Sequence, residues 1–246
     1  MKPKPGHASL IFFAVMIFSG CKKQNPLITD TPADYYPLQI GKYITYRMDS
    51  VKFINVGSQD TVISYLAKDV VEDSITDNLG RPSYRVIRYL SDTTGTRPWM
   101  PTIAYLVTPT GHSIEVVENN LRFIKLVTPV QDYVSWKGNV YIDTNPDDSS
   151  QVPYLDDWNY SYANTGLSYD VLEGTIPVTT TVNEANETNG NVNSILVTTF
   201  SMAVYGKGLG LIYKKFLYSE YQPPSIDFPA GATIGYGLTL NMVDHN

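Results

Sequence analysis

The chain has 246 residues, 43% of them hydrophobic, with 18 Lys+Arg against 24 Asp+Glu. An acidic chain without a basic cluster is a poor partner for nucleic acid or for an anionic lipid surface. A single cysteine excludes intramolecular disulfides, so the hydrophobic core has to hold the fold unaided.

The first element is a targeting segment. Lys2 and Lys4 precede the apolar run Leu10–Phe18, and the small residues Ser19-Gly20 lead into Cys21. That order describes a secretory signal whose cleavage leaves a cysteine at the new N-terminus. A spanning helix needs about 20 apolar residues, roughly twice this uninterrupted run. A first core element would interleave its apolar stripe with polar positions, and this run does not. A plain signal cut elsewhere is the remaining alternative, but it leaves a lone cysteine at the cleavage point without a use. The segment Phe18-Ser19-Gly20-Cys21 resembles the lipobox of bacterial lipoproteins. The resemblance implies diacylglycerol on the Cys21 thiol, cleavage before it, and acylation of the freed amine with a chain such as palmitate. Each buried methylene contributes about 0.8 kcal/mol and durable attachment takes more than one chain, which triacylation supplies. The expected membrane contact is therefore covalent lipid at Cys21.

Loss of Lys2 and Lys4 leaves 16 basic against 24 acidic residues, a net charge of about −8. After Cys21 the stretch KKQNPLITDTPAD is polar, contains two prolines and has no period, as a flexible tether would. The expected organisation is a signal peptide over 1–20, a lipid-anchored tether over 21–34 and a β-rich domain over 35–246.

From Tyr35 onward strands and turns alternate. Runs with apolar residues on one face are expected at 43–48, 51–56, 61–66, 84–90, 103–107, 114–118 and 121–127. More follow at 140–142, 154–162, 167–172, 176–182, 194–204 and 209–218. The clearest lies over Thr233–Val243, where Ile234, Tyr236, Leu238, Leu240 and Met242 point one way. The best helix candidate, Tyr65–Asp73, is short and rich in valine. Parallel pairing needs crossovers of a dozen or more residues, and none is present. The fold expected is all-β, a single mostly antiparallel domain of about twelve strands, arranged as a curved sheet, half-barrel or sandwich. The acidic, Asn-rich stretches Asp143–Gln151 and Asn183–Asn193 read as exposed loops.

Catalytic chemistry has few carriers. His7 leaves with the signal, His245 is next to last, and His112 lies in the turn sequence Pro109-Thr110-Gly111-His112-Ser113, without a Gly-x-Ser-x-Gly elbow. Two scattered histidines and a lipidated cysteine make no zinc set. Asp143–Asp148 begins like a calcium loop, then places Asp148 where glycine is needed and Tyr154 where the bidentate glutamate belongs. Asp156 and Asp157 flank Trp158, but neighbours on a strand face opposite ways, so they cannot form a glycosidase pair together. Gly206-Lys207-Gly208-Leu209-Gly210 is followed by strand rather than helix, which makes it a turn and not a phosphate cradle. The 19 tyrosines fit either a sugar-stacking surface or half-buried strands, and the second is the commoner use.

Two segments carry a family likeness. Tyr35-Tyr36-Pro37-Leu38-Gln39-Ile40-Gly41-Lys42-Tyr43-Ile44-Thr45-Tyr46 resembles the Y-x-P-L-x-x-G-x-x-W-x-Y opening of uncharacterised outer-membrane lipoproteins of Bacteroidetes-type bacteria, with Tyr43 in the tryptophan position. Tyr205–Lys214 resembles their Y-x-x-G-x-G-L hairpin, and Asn120–Leu126 with Trp136–Asn139 is similar to their middle portion. These motifs are structural, so the resemblance implies an outer-membrane lipoprotein and no particular activity. Asp60-Thr61-Val62, Asp73-Ser74-Ile75 and Asp92-Thr93-Thr94 resemble O-glycosylation triplets of those bacteria. The basic residues Lys22-Lys23 behind the anchor favour the periplasmic face over the cell surface. The role expected is non-catalytic, binding or structural, without a cofactor, toward a glycan, a lipid or another envelope protein. The alternative is a carbohydrate-active hydrolase with a carboxylate pair.

Overall fold

Period-two patterning carries about two thirds of the described residues into strand. A computed structural model describes residues 30–246 apart from 56, 58, 143–154, 156, 192, 227 and 230. The strands of the first half are β1 (Tyr43–Ile54), β2 (Gln59–Thr76), β3 (Pro82–Ser91), β4 (Met100–Pro109), β5 (Ser113–Glu118) and β6 (Leu121–Val127). Those of the second are β7 (Ser135–Lys137), β8 (Asn159–Val171), β9 (Gly174–Gly190), β10 (Leu196–Gly206), β11 (Gly210–Gln222) and β12 (Ala232–His245). They make one antiparallel sheet in the order β6-β5-β4-β3-β2-β1-β12-β11-β10-β9-β8-β7. Two consecutive six-stranded meanders are thus joined through β1 and β12, and the all-β antiparallel domain expected from the pattern is what forms.

The sheet curls until its two ends nearly close a barrel. At the seam Ile124 N donates to Gly138 O at 2.8 Å, and Trp136 Nε1 donates to Ile124 O at 2.7 Å. Tyr162 Oη reaches Val127, accepting from its N at 2.7 Å and lying 2.8 Å from its O. Curling wraps one apolar face inward, and a single cluster draws Val86, Tyr105 and Val116 from the first meander and Tyr160, Val182 and Tyr205 from the second. Outside the barrel, the tip of the β8–β9 hairpin folds against β11 and β12. Tyr169 stacks at 5.4 Å on Tyr213, and Leu172 N donates to Asn241 Oδ1 at 3.0 Å.

Several local expectations change. The run at 43–48 and the 51–54 part of the next are one strand, because the central β1 is paired along its whole length with β2. The valine-rich Tyr65–Asp73 lies inside β2, where β-branched residues pack well on a pleated surface. Residues 140–142 form a turn instead of a strand, with Ile142 N donating to Asn139 O at 2.8 Å, and the short strand β7 precedes them. The strand expected over 154–162 begins only at Asn159. Asn183–Asn193, expected as a loop, belongs to β9 as far as Gly190 because β10 supplies a backbone partner for its polar residues.

Residues 30–34, expected to close the tether, are tied to the barrel. Thr31 and Asp34 cap the short helix α1 (Pro32–Tyr35) reciprocally. Lys207 pairs with Asp30, and Gly208 N donates to Asp34 O at 2.7 Å. The Gly206–Gly210 segment is the expected turn between β10 and β11, with Leu209 N donating to Gly206 O at 3.0 Å.

Candidate functional site

Two irregularities of the ladder build the site. Between β9 and β10 the register passes from Ser201↔Ala185 to Met202↔Asn183, leaving Glu184 as the extra residue. Between β5 and β6 it passes from Ile114↔Leu126 to Glu115↔Ile124, leaving Lys125 as the extra residue. A bulge re-aims a side chain, and here both bulged residues turn into the barrel and meet. Glu184 is 2% exposed, and Lys125 Nζ lies 3.3 Å from its Oε1. From β11, Lys214 binds Glu184 Oε2, which also accepts from Ser201 Oγ at 2.7 Å. Lys125 Nζ additionally donates to Tyr160 Oη at 3.2 Å, and Tyr160 donates to Asn139 Oδ1 at 3.0 Å.

A second charged group sits on the opposite wall. Arg88 on β3 grips Asp69 on β2 through two bonds of 2.6 Å, and Tyr105 Oη donates to the same carboxylate at 2.9 Å. Between the two groups lies a cavity of about 130 Å³. Arg88, Glu118, Lys125, Glu184 and Lys214 supply its charges, Tyr36, Tyr105 and Tyr205 its aromatic walls, and Leu238 and Leu240 part of its apolar floor.

The electrostatics follow from two ammonium groups facing one carboxylate. Burial pushes the Glu184 carboxyl up, but Lys125 and Lys214 outweigh it and hold the group down at about 2. Burial lowers Lys214 to about 8 against the pull of Glu184, and the neighbouring Lys125 adds to the fall. Burial raises the phenols of Tyr46, Tyr105, Tyr160 and Tyr205 well above their ordinary value. Polar groups in this interior are well matched: Thr45 Oγ1 alone lacks a hydrogen-bond partner among the buried side-chain atoms of the described residues.

Cys21, expected as the lipid-attachment residue, and Asp143–Gln151, Tyr154 and Asp156 lie outside the described residues. His112 occupies an exposed turn and His245 the exposed end of β12, far apart in the topology. Among the described residues no group of three or more His, Cys, Asp or Glu is placed to hold a metal ion. Asp157 is exposed and pairs with Lys137, away from the cavity. Of the Asp-Ser/Thr triplets, Ser74 and Thr93 are exposed and Thr61 is half-buried. Most buried tyrosines face the barrel core instead of forming a surface platform, while Tyr133, Tyr141 and Tyr236 are exposed. The residues that sequence reasoning missed are Glu184, Lys125 and Lys214: the bulges that place the first two carry no glycine to mark them, and Lys214 sits in a regularly paired stretch of β11.

No family model matches the chain, and no curated protein matches it. Among solved structures, one similar chain is a Bacteroides fragilis protein of YmcC-like fold described as exported. It is 10% identical and has a TM-score of 0.31, over 85% of this chain and 99% of that one. At that score the likeness carries neither function nor site across.

Proposed function

We propose that this protein is a cell-envelope lipoprotein, anchored through Cys21 to the outer membrane on its periplasmic side, with a non-catalytic binding role. The signal segment and the Bacteroidetes-type opening motif support the location. One observation supports the role: the three buried carboxylates among the described residues, Asp69, Glu115 and Glu184, are all neutralised by cations. Asp69 is held by Arg88, Glu115 by Arg81 and Arg122, and Glu184 by Lys125 and Lys214. A general acid for glycoside hydrolysis needs its pKa raised toward neutrality, and Glu184 is displaced the other way. That opposition disfavours the hydrolase alternative and leaves a rigid barrel with a small charged chamber.

Anchoring is tested by growing cells that express the full chain with radiolabelled palmitate. Label should enter the wild-type protein and be lost in Cys21→Ala, which should also fail to sediment with outer membranes. Equal labelling of the two proteins would refute the anchor. Protease treatment of intact cells then reports the face: a protected barrel fits the periplasmic side, and cleavage places it on the surface.

A further inference from the structure

Beyond the cavity the sheet narrows. Pairing of β2 with β3 ends at Leu66↔Ser91, and pairing of β8 with β9 reaches only Ser161↔Asn183. Six strands, β2-β1-β12-β11-β10-β9, therefore run on past the rim without an opposing wall among the described strands. On β12 the inward parity continues unbroken from Leu240 and Leu238, which line the cavity, to Tyr236 and Ile234. Phe216 pairs with Leu238, and its ring lies 5.0 Å from Tyr236. Tyr236 is 45% exposed, Ile234 52%, and Ile54, of the same parity on β1, 41%. Seven residues of strand, from Leu240 to Ile234, make an apolar row about 20 Å long leading out of a charged chamber, with Lys52 beside Tyr236 and Glu220 beside Ile234 at its outer end.

The chamber has donors and an acceptor to spare. An ammonium carries three N–H groups; Lys125 uses two on Tyr160 and Glu184, and Lys214 uses two on Glu184 and Ser201. Each keeps one that no oxygen or nitrogen of the described residues accepts, although Lys125 Nζ also lies 4.4 Å over the Phe123 ring. Across the cavity Glu118 makes no hydrogen bond to a described residue, yet it is near enough to act on both Arg88 and Lys214. With Asp69 counted behind Arg88, three cations balance three carboxylates. A ligand with one charge would unbalance the chamber, whereas a zwitterion keeps it neutral while engaging both free ends.

We propose that the chamber and apolar row bind a single-chain zwitterionic amphiphile, its phosphate between Lys125 and Lys214, its ammonium on Glu118 and its acyl chain along Phe216, Tyr236 and Ile234. This rests on the binding role proposed above and names the ligand class. The test uses the full chain in native envelopes and a lysophosphatidylethanolamine probe with a photoreactive diazirine in its acyl chain. After irradiation, label should map to Phe216–Tyr218 and Ile234–Leu238 and be competed by unlabelled lysophosphatidylethanolamine more strongly than by lysophosphatidylglycerol, which lacks the ammonium. Glu118→Gln should weaken capture about ten-fold and abolish that preference, as loss of a charge-assisted bond does. Ile234→Glu, at an exposed position that folding tolerates, should remove the label. Label elsewhere in the barrel, or equal competition by both lipids in the wild type, overturns the proposal. In detergent extracts of whole cells, where anchoring no longer matters, capture by Cys21→Ala should match that of the wild type, so a failure of anchoring and a failure of ligand binding are read separately.

Discussion

Glu184 shows how one carboxylate can decide the state of an interior. Its desolvation is offset only because two ammonium groups and a hydroxyl converge on it, so removing the charge leaves Lys125 and Lys214 buried together. Breaking a buried ion pair from one side costs about 3–5 kcal/mol. Glu184→Gln should therefore lower the unfolding free energy in urea by that order, and a loss below about 1 kcal/mol would show that the cluster is hydrated and weak. Acid provides a second reading of the same residue. The carboxyl titrates at about 2 in the fold against 4.5 in the free chain, so between those values the unfolded chain binds more protons. Its stabilisation is complete above pH 4.5 and is lost as pH falls through 2, and in Glu184→Gln this part of the acid dependence should vanish. The sequence around Glu184, Val182-Asn183-Glu184-Ala185-Asn186, looks solvated. What buries the carboxylate is a shift of register against β10, which depends on residues distant in the chain.

Strands were the most readable elements and seams the least. The pattern over Thr233–Val243 anticipates β12 within two residues at each end, because its apolar residues keep one parity throughout and are buried at Leu240 and Met242. The glycines of 206–210 anticipate a turn because Gly208 and Gly210 take φ of 76° and 117°, a region that favours glycine. The three-residue strand β7 has no legible period, since its place is fixed by the two sheet ends meeting across it. Trp136 is the element's main fastening: it bonds Ile124 O and stacks at 4.6 Å on Tyr162. Trp136→Phe keeps most of the packing and loses the indole bond, for about 1 kcal/mol. The Ile124 amide, bonded across the seam to Gly138, should then exchange with solvent distinctly faster than amides of the central strand β12. Uniform acceleration of both would show that the seam opens only with global unfolding.

Across the whole molecule, the abundance of tyrosine is explained by the barrel's lining, where rings fill volume and hydroxyls find partners such as Leu211 O, 2.8 Å from Tyr46 Oη. The same choice limits the alkaline range. Tyrosine ionises near 10.0 in the free chain, while the buried phenols titrate well above it. The folded protein holds more protons above pH 10.0, so the tyrosines' contribution is intact below that value and is lost as pH rises beyond it. Phenolate absorbance should rise in two phases, exposed tyrosines first and the buried ones together with loss of β-sheet circular dichroism. A single smooth titration that leaves the dichroism unchanged would contradict the packed lining. The latch at Asp30–Tyr35 has a mechanical consequence. Tension entering from upstream meets the Lys207–Asp30 pair and the Gly208–Asp34 bond first, then β1, which is bonded along its length to β2 on one side and β12 on the other. A pull along that strand loads both ladders in shear, so their bonds must fail together and cannot be peeled one at a time.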